Sequence, residues 1–304
     1  MLDYRLIEAL AAVLDEGGFD RAATRLCITQ PAVSHRIKQL EDEVGRALVV
    51  RESPPRATPA GERLLRHYRQ VTSLESEAIG DLGLDQRRQF QRLAVAVNAD
   101  SLAIWFLDAV APVLRDRAAA LEIIVDDQDR TLRFLRAGEA AACVSAEKSV
   151  VQGFSMTKIG DMRVMLVASP AYVSEWFGNG IDRAGAERAP IVIFNRWDQL
   201  HNRCLLRLFG VPQLSPPAYH VPATDKYIDF IVDGYACGMV PEIQAAPLID
   251  DGLLVELDGR ARLTMPLYWY RWNSPSVLLQ RLTDLVVREG GRILRAADGD
   301  GAGA

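Results

Sequence analysis

The stretch from Phe19 to Glu43, FDRAATRLCITQPAVSHRIKQLEDE, constrains the fold most, because its pattern is typical of two helices joined by a tight turn. Asp20 and Thr29 suit the N-caps of the two helices, and Pro31 suits the first turn of the second, where its missing N–H breaks no helical hydrogen bond. Apolar side chains recur at spacings of 4, 3 and 4 and predict one buried stripe: Val33, Ile37, Leu40 and Val44. The pattern favours a helix-turn-helix that presents its polar face to DNA; an ordinary helical hairpin with a solvated face is the alternative.

The segments on either side extend this pattern. Residues 3–16 predict a preceding helix capped by Asp3 and ended by Gly17 and Gly18. Residues 48–58 predict a β-hairpin wing, since a short apolar pair is followed by a polar turn with two prolines. A wing beside a recognition helix commonly contacts phosphates, and a solvated surface loop is the alternative.

A long amphipathic helix should follow the wing. Thr58 and Pro59 form a typical helix start, and an apolar stripe runs to about Gln86, which corresponds to roughly 42 Å at 1.5 Å per residue. A helix of this length without neighbouring helices in sequence favours pairing with a second copy, and packing on its own chain is the alternative. The charged, glycine-rich residues 80–91 mark a domain boundary.

From Leu93 onward, strands alternate with helices, which predicts an α/β domain with parallel sheets. The predicted strands are 93–97, 121–125, 142–145, 164–168, 191–194, 237–240 and 267–272. The predicted helices are 101–115, 128–137, one starting at Pro170, 198–209, 225–236, 241–249 and 275–295.

Charge and composition restrict the function. The net charge is −5, and residues 1–70 carry 11 Lys and Arg against 10 Asp and Glu, so any DNA affinity must come from local placement of basic side chains. The four cysteines are far apart, which favours free thiols over a metal site or a disulfide framework. The sequence contains no long apolar run and no signal peptide, so we expect a cytoplasmic protein that does not enter the membrane. With no catalytic motif, an enzyme is not expected, and no cofactor is expected.

Four motifs together resemble the LysR-type transcriptional regulators. They are Phe19-x-x-Ala22-Ala23-x-x-Leu26, Thr29-Gln30-Pro31-Ala32-Val33-Ser34-x-Arg36-Ile37-x-x-Leu40-Glu41, Gly45-x-x-Leu48-x-x-Arg51 and Thr58-x-Ala60-Gly61. The resemblance continues along the whole chain. Within the family it is greatest to the lysine- and arginine-responsive activators of basic amino-acid export, a group also described as inhibitors of chromosome initiation. The segments 26–41, 93–114 and 267–272 carry this second resemblance.

The resemblance implies three regions: a winged helix-turn-helix over 1–58, a linker helix for dimerisation with a hinge over 59–90, and an effector-binding domain over 91–304. The last would contain two α/β subdomains similar to periplasmic binding proteins, one formed by 91–163 with 265–304 and the other by 164–264. Double-stranded DNA, RNA polymerase and a second copy of the chain are the implied partners, with a homodimer through the linker helix and a homotetramer as the usual assembly. The implied function is activation of a basic amino-acid exporter gene when lysine or arginine binds between the subdomains.

For DNA binding we expect a set of polar residues on the recognition helix together with one arginine of the wing: Gln30, Pro31, Ser34, His35, Arg36, Lys38 and Arg51. Gln30 can read adenine through two hydrogen bonds, and Pro31 can contact a thymine methyl group. Arg36 and Lys38 suit phosphates. His35 stands where the family commonly has arginine, which leaves the base that it reads open.

For the effector we expect side chains that follow strands or begin helices: Asn98, Asp100, Ser101, Asp127, Ser145, Thr224 and Asp225. Ser101 and backbone N–H groups at the helix start suit a carboxylate, and the acidic run Asp126, Asp127 and Asp129 suits an ammonium group or a basic side chain. The alternatives are helix capping alone for Asp100, Ser101, Thr224 and Asp225, and a solvated loop for the acidic run. We expect four tryptophans to be core residues: Trp105, Trp197, Trp269 and Trp272.

Three other functions remain open. A LysR-type regulator of another amino-acid-related gene would share every feature above. A solute receptor would share the architecture of residues 91–304 but would not need a helix-turn-helix. An architectural DNA-binding protein would keep the fold without responding to a ligand, and titration with amino acids would distinguish it from a regulator.

Overall fold

The computed structural model describes residues 2–81, 91–117, 119–150, 152–178, 180–210 and 214–296. The chain forms two compact units. The first comprises Met1–Val95, Arg117–Glu122 and Arg133–Ala142, and the second comprises Ala96–Asp116, Ile123–Leu132 and Cys143–Ala304.

The first unit begins with three helices and a two-stranded antiparallel wing, which together we call the DNA-binding head (residues 2–58). The elements are α1 (Tyr4–Asp15), α2 (Phe19–Arg25), α3 (Gln30–Val44), β1 (Val49–Val50) and β2 (Arg56–Ala57). One core joins the helices and the wing, with fully buried side chains from each: Ile7, Leu10, Ala22, Val33, Ile37, Leu40 and Leu48. The wing is also tied to α3 directly, because Glu41 Oε1 accepts hydrogen bonds from the Leu48 N–H (2.7 Å) and the Val49 N–H (3.3 Å).

The helix caps of the head follow the sequence expectation with one exception. Asp3 accepts from the Arg5 N–H at 2.9 Å, and Thr29 accepts from the Ala32 N–H at 3.4 Å, so both predicted caps are confirmed. Asp20 is not a cap, because α2 begins one residue earlier and Gly18 occupies the cap position. Asp20 instead lies in the first turn, where its charge favours the positive end of the helix dipole.

The buried stripe of α3 is shorter than predicted. Val33, Ile37 and Leu40 are fully buried, whereas Val44 is 36% exposed. Val44 is the last residue of α3, and Gly45 follows it in the left-handed conformation with φ +70°. The helix therefore ends at Val44, at the edge of the core, and Val44 is only partly covered.

The linker helix α4 spans Pro59–Asp81. Its first turn packs closely on the wing, since a Cβ added to Gly61 would lie 2.2 Å from the Leu48 carbonyl oxygen. Leu74 and Ile79 on the predicted stripe are exposed at 37% and 43%. The predicted end of this helix near Gln86 and most of the predicted boundary segment lie outside the described residues.

The remaining strands form a seven-stranded sheet in the order β10-β6-β11-β5-β3-β4, with β9 also pairing with β6, and a separate pair β7-β8. Their bounds are β3 (Gln91–Asn98), β4 (Ala119–Asp126), β5 (Ala142–Ser145), β6 (Phe154–Ala168), β7 (Ile191–Ile193), β8 (Ala218–His220), β9 (Gly238–Pro241), β10 (Val255–Glu256) and β11 (Leu263–Trp272). The expectation of purely parallel sheets was wrong. β6 pairs antiparallel with β9, β10 and β11, and its ten residue pairs with β11 run from Leu263↔Val164 to Trp272↔Phe154.

The helices of this region pack around the sheets. They are α5 (Ala99–Ser101), which continues through a π-helical stretch (Leu102–Phe106) into α6 (Leu107–Arg115), then α7 (Leu132–Arg136), α8 (Pro170–Trp176), α9 (Arg183–Arg188), α10 (Leu200–Phe209), α11 (Thr224–Val232), α12 (Glu242–Asp250) and α13 (Val277–Ala296), with a 3₁₀ turn at Gly259–Ala261. The sequence predicted a helix over 128–137, but only Leu132–Arg136 is helical. The preceding residues form a turn, in which the Asp127 carbonyl accepts from the Arg130 and Thr131 N–H groups.

Candidate DNA-binding face and effector cavity

The N-terminal end of α3 presents most of the predicted DNA-binding residues to solvent. Gln30, Pro31, His35 and Lys38 are exposed, whereas Ser34 and Arg36 are half-buried. The Gln30 Nε2 donates to Ser34 Oγ at 3.1 Å, which holds the amide along the helix surface. The arrangement leaves polar atoms at the end of the helix that enters the major groove in helix-turn-helix proteins.

The wing places Arg51 beside the start of the helix-turn-helix. Its guanidinium carbon lies 5.6 Å from the centroid of the Phe19 ring, within the range of a cation–π contact, and its side chain is exposed. Arg56 on β2 instead forms an ion pair with Glu52 of the same wing. Of the two wing arginines, Arg56 is therefore paired with a carboxylate of the wing, whereas Arg51 contacts an aromatic ring.

The second unit contains a cavity whose empty space, together with the open solvent at its mouth, is about 470 Å³. Its polar lining consists of Asp100, Asp126, Asp127, Gln128, Asp198, Thr224, Tyr227 and Gln244. Its apolar lining consists of Ala99, Phe194, Leu200, Ile228, Met239, Val240 and Pro241. The mixed lining suits a small molecule that combines charged groups with an aliphatic part.

The cavity is strongly acidic. Four aspartates line it, and among the described residues no lysine, arginine or histidine does so. Asp126 is offset by Arg130, whose Nε lies 3.5 Å from its Oδ2. The other three, Asp100, Asp127 and Asp198, leave an excess of negative charge that attracts a cation.

Burial and mutual repulsion raise the pKa values of these three carboxyl groups. Desolvation, followed by the charges of Asp198 and Asp127, raises the pKa of Asp100 to about 7. Desolvation is also the main cause that raises the pKa of Asp127 to about 6, with the charge of Asp198 adding to it. Desolvation raises the pKa of Asp198 as well, although the N–H groups of Leu200 and Phe194 partly stabilise its charge. A bound cation would offset the cost of holding these charges together.

Several buried polar side-chain atoms at and near the cavity have no hydrogen-bond partner among the described residues. In the lining these are the Gln128 Nε2 and the Gln244 Oε1, and beside it the amide of Asn98 and the Ser101 hydroxyl. A buried polar group without a partner costs about 1–3 kcal/mol. A polar ligand with both donors and acceptors would provide the missing partners.

Asp198 was missed by the sequence analysis. Its Oδ1 accepts from the Leu200 N–H (2.9 Å) and its Oδ2 from the Phe194 N–H (3.2 Å), which fixes the carboxylate at the start of α10. A usable signal was present, because Asp198 lies between a strand and a helix, as Asp127 does.

The structure brings together three of the predicted effector residues, since Asp100, Asp127 and Thr224 all line the cavity. Asn98 and Ser101 are buried but do not line it, and neither makes a side-chain cap bond at the start of α5. Ser145 is buried too, and its hydroxyl donates to the Gln128 carbonyl at 3.1 Å, so it supports a lining residue.

Asp225 and Asp129 also lie outside the lining. Asp225 is exposed in the first turn of α11, whose cap position is taken by Ala223 without a side-chain bond. Asp129 Oδ2 pairs with Arg203 Nη2 at 2.6 Å. The acidic run is therefore partly lining and partly engaged in ion pairs, rather than a solvated loop.

Three of the four tryptophans are core residues as expected, namely Trp105, Trp269 and Trp272. Trp197 is not, because it is 47% exposed. It lies in the turn before α10, where the guanidinium carbons of Arg130 and Arg196 lie 4.6 Å and 4.9 Å from its ring centroid. These stacked cations cover the ring and replace part of the packing of a core site.

The described part of the chain offers neither a metal site nor a membrane-spanning helix. It contains no cluster of three or more histidine, cysteine, aspartate or glutamate side chains able to hold a metal ion. None of its helices combines the length and apolar content needed to cross a membrane.

A helix-turn-helix head followed by an α/β domain with an acidic cavity defines a class of DNA-binding regulators, and comparison with known proteins identifies the family. Residues 4–62 match the profile of the bacterial regulatory helix-turn-helix proteins of the lysR family, and residues 87–290 match that of the LysR substrate binding domain. The chain belongs to the LysR family of transcriptional regulators. Because these proteins are not enzymes, the expectation that the chain is not an enzyme is confirmed.

The relatives narrow the resemblance. The HTH-type transcriptional regulator ArgP of Aeromonas salmonicida is 40% identical over 294 residues, which cover 97% of this chain and 98% of that protein. The crystal structure of ArgP from Mycobacterium tuberculosis matches with a TM-score of 0.81 and 39% identity, covering 95% of this chain and 98% of that one. The full-length regulator LysG from Corynebacterium glutamicum, described with bound effector Arg, matches with a TM-score of 0.75 and 32% identity over 95% and 98% of the two chains. The predicted resemblance to the arginine- and lysine-responsive group is confirmed.

Proposed function

We propose that this LysR-type regulator binds lysine or arginine in its acidic cavity and thereby activates a gene for a basic amino-acid exporter. The observation that carries the proposal is the set of three aspartates, Asp100, Asp127 and Asp198, in a cavity that no basic side chain of the described residues lines. A ligand with two cationic groups offsets this charge, whereas a neutral amino acid with one ammonium group offsets less of it.

The rest of the lining suits the other parts of a basic amino acid. The apolar side chains of Phe194, Ile228 and Met239 can pack against an aliphatic chain. The Gln128 Nε2, without a partner among the described residues, and the backbone N–H groups at the start of α5 can donate to the α-carboxylate. The proposal therefore includes one small molecule, the basic amino acid that acts as effector. It includes no cofactor.

The names of three relatives support this assignment. LysG is described with bound effector Arg at 32% identity, and two of the matched regulators are named ArgP. Arginine, the effector named for LysG, carries the positive charges that suit the acidic cavity of this chain.

On the DNA side, the proposal assigns base reading to Gln30, Pro31 and His35, with Ser34 serving either a base or a phosphate. Arg36, Lys38 and Arg51 contact the phosphate backbone of the DNA.

The exposed Leu74 and Ile79 on α4 support pairing of two linker helices, so the dimer reads an inverted repeat. We include in the proposal the homotetramer, the contact with RNA polymerase, and the region limits of 1–58, 59–90 and 91–304. The subdomain limits, 91–163 with 265–304 against 164–264, are also part of it.

The proposal is tested by calorimetric titration of the full-length protein with matched ligand pairs. Arginine and lysine should bind, whereas citrulline and norleucine, which resemble them in shape but lack the side-chain charge, should bind at least roughly tenfold more weakly. DNA binding and transcription should then be measured with each ligand. If neither arginine nor lysine binds or changes transcription, the effector assignment is wrong and an architectural DNA-binding protein is favoured.

A further inference from the structure

One arginine of the linker helix contacts the DNA-binding head and a turn that follows α7. Arg69 on α4 donates through Nη2 to Asp15 Oδ1 at 2.6 Å and through Nη1 to the Ala137 carbonyl oxygen at 3.1 Å. All three residues belong to the first compact unit. Because a single planar guanidinium serves both partners, a shift of the Ala137 carbonyl changes the geometry available to Asp15.

The contact continues into the helix-turn-helix. Asp15 ends α1, and its second oxygen accepts from Arg25 Nη1 at 3.2 Å. Arg25 is the last residue of α2, and it also pairs with Glu16 at 3.3 Å. Arg69 is therefore two ion pairs away from the first helix of the helix-turn-helix.

Backbone packing at Gly138 fixes the same turn on the linker helix. Gly138 adopts φ +74°, and a Cβ added there would lie 2.7 Å from the Arg66 Cα. A side chain at this position would be both strained and in collision with the α4 backbone. The turn therefore rests directly on α4, and it cannot move without displacing either the helix or the Arg69 hydrogen bond.

A short and tightly packed segment leads from the cavity to this turn. Asp127 and Gln128 line the cavity, and α7 follows after one turn of chain. Leu132 and Leu135 on α7 are fully buried, and the Thr131 hydroxyl donates to the Val144 carbonyl at 2.6 Å. A close-packed helix of this kind passes on a displacement as a rigid element rather than absorbing it.

We propose that Arg69 and Gly138 form the junction through which a ligand in the cavity changes DNA binding by the head. Charge rearrangement at Asp127 shifts α7, α7 shifts the Ala137–Gly138 turn, and Arg69 transfers the shift to Asp15 and Arg25. Arg69 is a positioning residue in this scheme and contacts neither ligand nor DNA. The inference rests on the proposed function, because it requires that a basic amino acid binds in the cavity.

The test measures coupling, which is the ratio of DNA affinities with and without saturating arginine in the full-length protein. Wild-type protein should show a ratio on the order of fivefold or more, as is typical of allosteric proteins. Arg69→Ala should bring the ratio to within about twofold of one while arginine affinity, measured by calorimetry without DNA, changes by less than about twofold. Arg69→Lys should give an intermediate ratio, since one ammonium group can keep the Asp15 pair but not the fork to both partners.

Two further variants keep the test specific. Arg188→Ala is the matched control, because Arg188 is an exposed arginine whose Nε hydrogen bond goes to Ala184 within its own helix, and it should keep the wild-type ratio. Gly138→Ala should reduce the ratio as Arg69→Ala does, and circular dichroism must show that it is folded. If Gly138→Ala does not fold, Arg69→Ala decides alone.

The outcomes separate the two proposals. If wild-type protein responds to arginine and Arg69→Ala responds equally, the junction is rejected and the proposed function stands. If Arg69→Ala loses ligand affinity to the same extent as coupling, Arg69 acts on the cavity itself and the junction is again rejected. If wild-type protein binds neither lysine nor arginine, the proposed function fails, and the junction fails with it.

Discussion

Polar side chains are exposed to solvent on the recognition helix but buried in the effector cavity. At the start of α3, Gln30, His35 and Lys38 face solvent, and the one internal hydrogen bond, from Gln30 to Ser34, lies on the surface. In the cavity, Asp127 and Gln128 are buried, and the Gln128 Nε2 has no partner among the described residues. Without DNA, the polar groups on the helix remain solvated, so leaving them unbound costs little free energy. Without a ligand, the buried carboxyl groups of the cavity repel one another, and a cationic ligand would reduce this repulsion. We therefore expect the cavity to be sensitive to single charge changes and to pH, and the helix to depend mainly on base identity and salt.

The largest effect should come from removing the charge of Asp127. Asp127→Asn should weaken arginine binding by roughly 2–5 kcal/mol, because a buried charged partner of the ligand is lost. Calorimetry measures this change, and Asp251→Asn, at an exposed aspartate after α12, is the matched control. Equal affinities of Asp127→Asn and wild-type protein would show that the ligand charge is held elsewhere.

A smaller and more selective effect is expected on the recognition helix. Gln30→Ala should weaken binding to the specific operator by roughly 1–3 kcal/mol and leave non-specific DNA binding nearly unchanged, because Gln30 is assigned to a base edge. Arg51→Ala should instead weaken both modes and reduce the salt dependence, because it is assigned to phosphate. Binding assays on operator and unrelated DNA over a salt series distinguish the two. Equal loss in both modes for Gln30→Ala would reject base reading there.

The smallest effect should be that of pH on ligand affinity. Since the pKa of Asp100 is raised to about 7 and that of Asp127 to about 6, a cationic ligand must displace protons at low pH. Arginine affinity should therefore rise as pH increases through about 6 to 7, by on the order of tenfold, and Asp100→Asn should flatten the dependence.

The same groups should affect stability with the opposite sign. Their pKa values in the folded protein lie above the ordinary value of 3.8, so the native state holds protons that the unfolded chain releases. The free energy of unfolding of the ligand-free protein should therefore fall as pH rises from about 4 to about 7. Thermal melts with and without arginine measure both trends, and a pH-independent arginine affinity would contradict the assignment of these carboxyl groups to the ligand.

The features predictable from the sequence are those fixed by neighbours in the chain. Thr29 caps α3 and Pro31 fits its first turn because both effects act within one turn of helix. The stripe of Val33, Ile37 and Leu40 follows from helical periodicity alone. The wing was predictable for the same reason, since its two prolines and short apolar pair lie within eleven residues, 48–58.

The features that were not predicted depend on contacts between distant parts of the chain. Asp198 joins Asp127 in one cavity although 71 residues separate them (198 minus 127), and no local pattern records that distance. Trp197 stacks with Arg130, which comes from another segment, and does not enter the core. The first ten residues of β6, 154–163, were not predicted as a strand, because β11, the strand with which they pair, is far away in the sequence.

The hydrogen bonds from Glu41 to the wing have a consequence for the length of the operator. Because one carboxylate on α3 accepts hydrogen bonds from both the Leu48 and the Val49 N–H groups, we expect the recognition helix and the wing to contact DNA as one rigid body. With the proposed contacts, the distance between the bases at α3 and the phosphate near Arg51 would be the same in every half-site. In the proposed dimer, variation in operator spacing would then be accommodated between the two heads, through the linker helices, and not within a half-site.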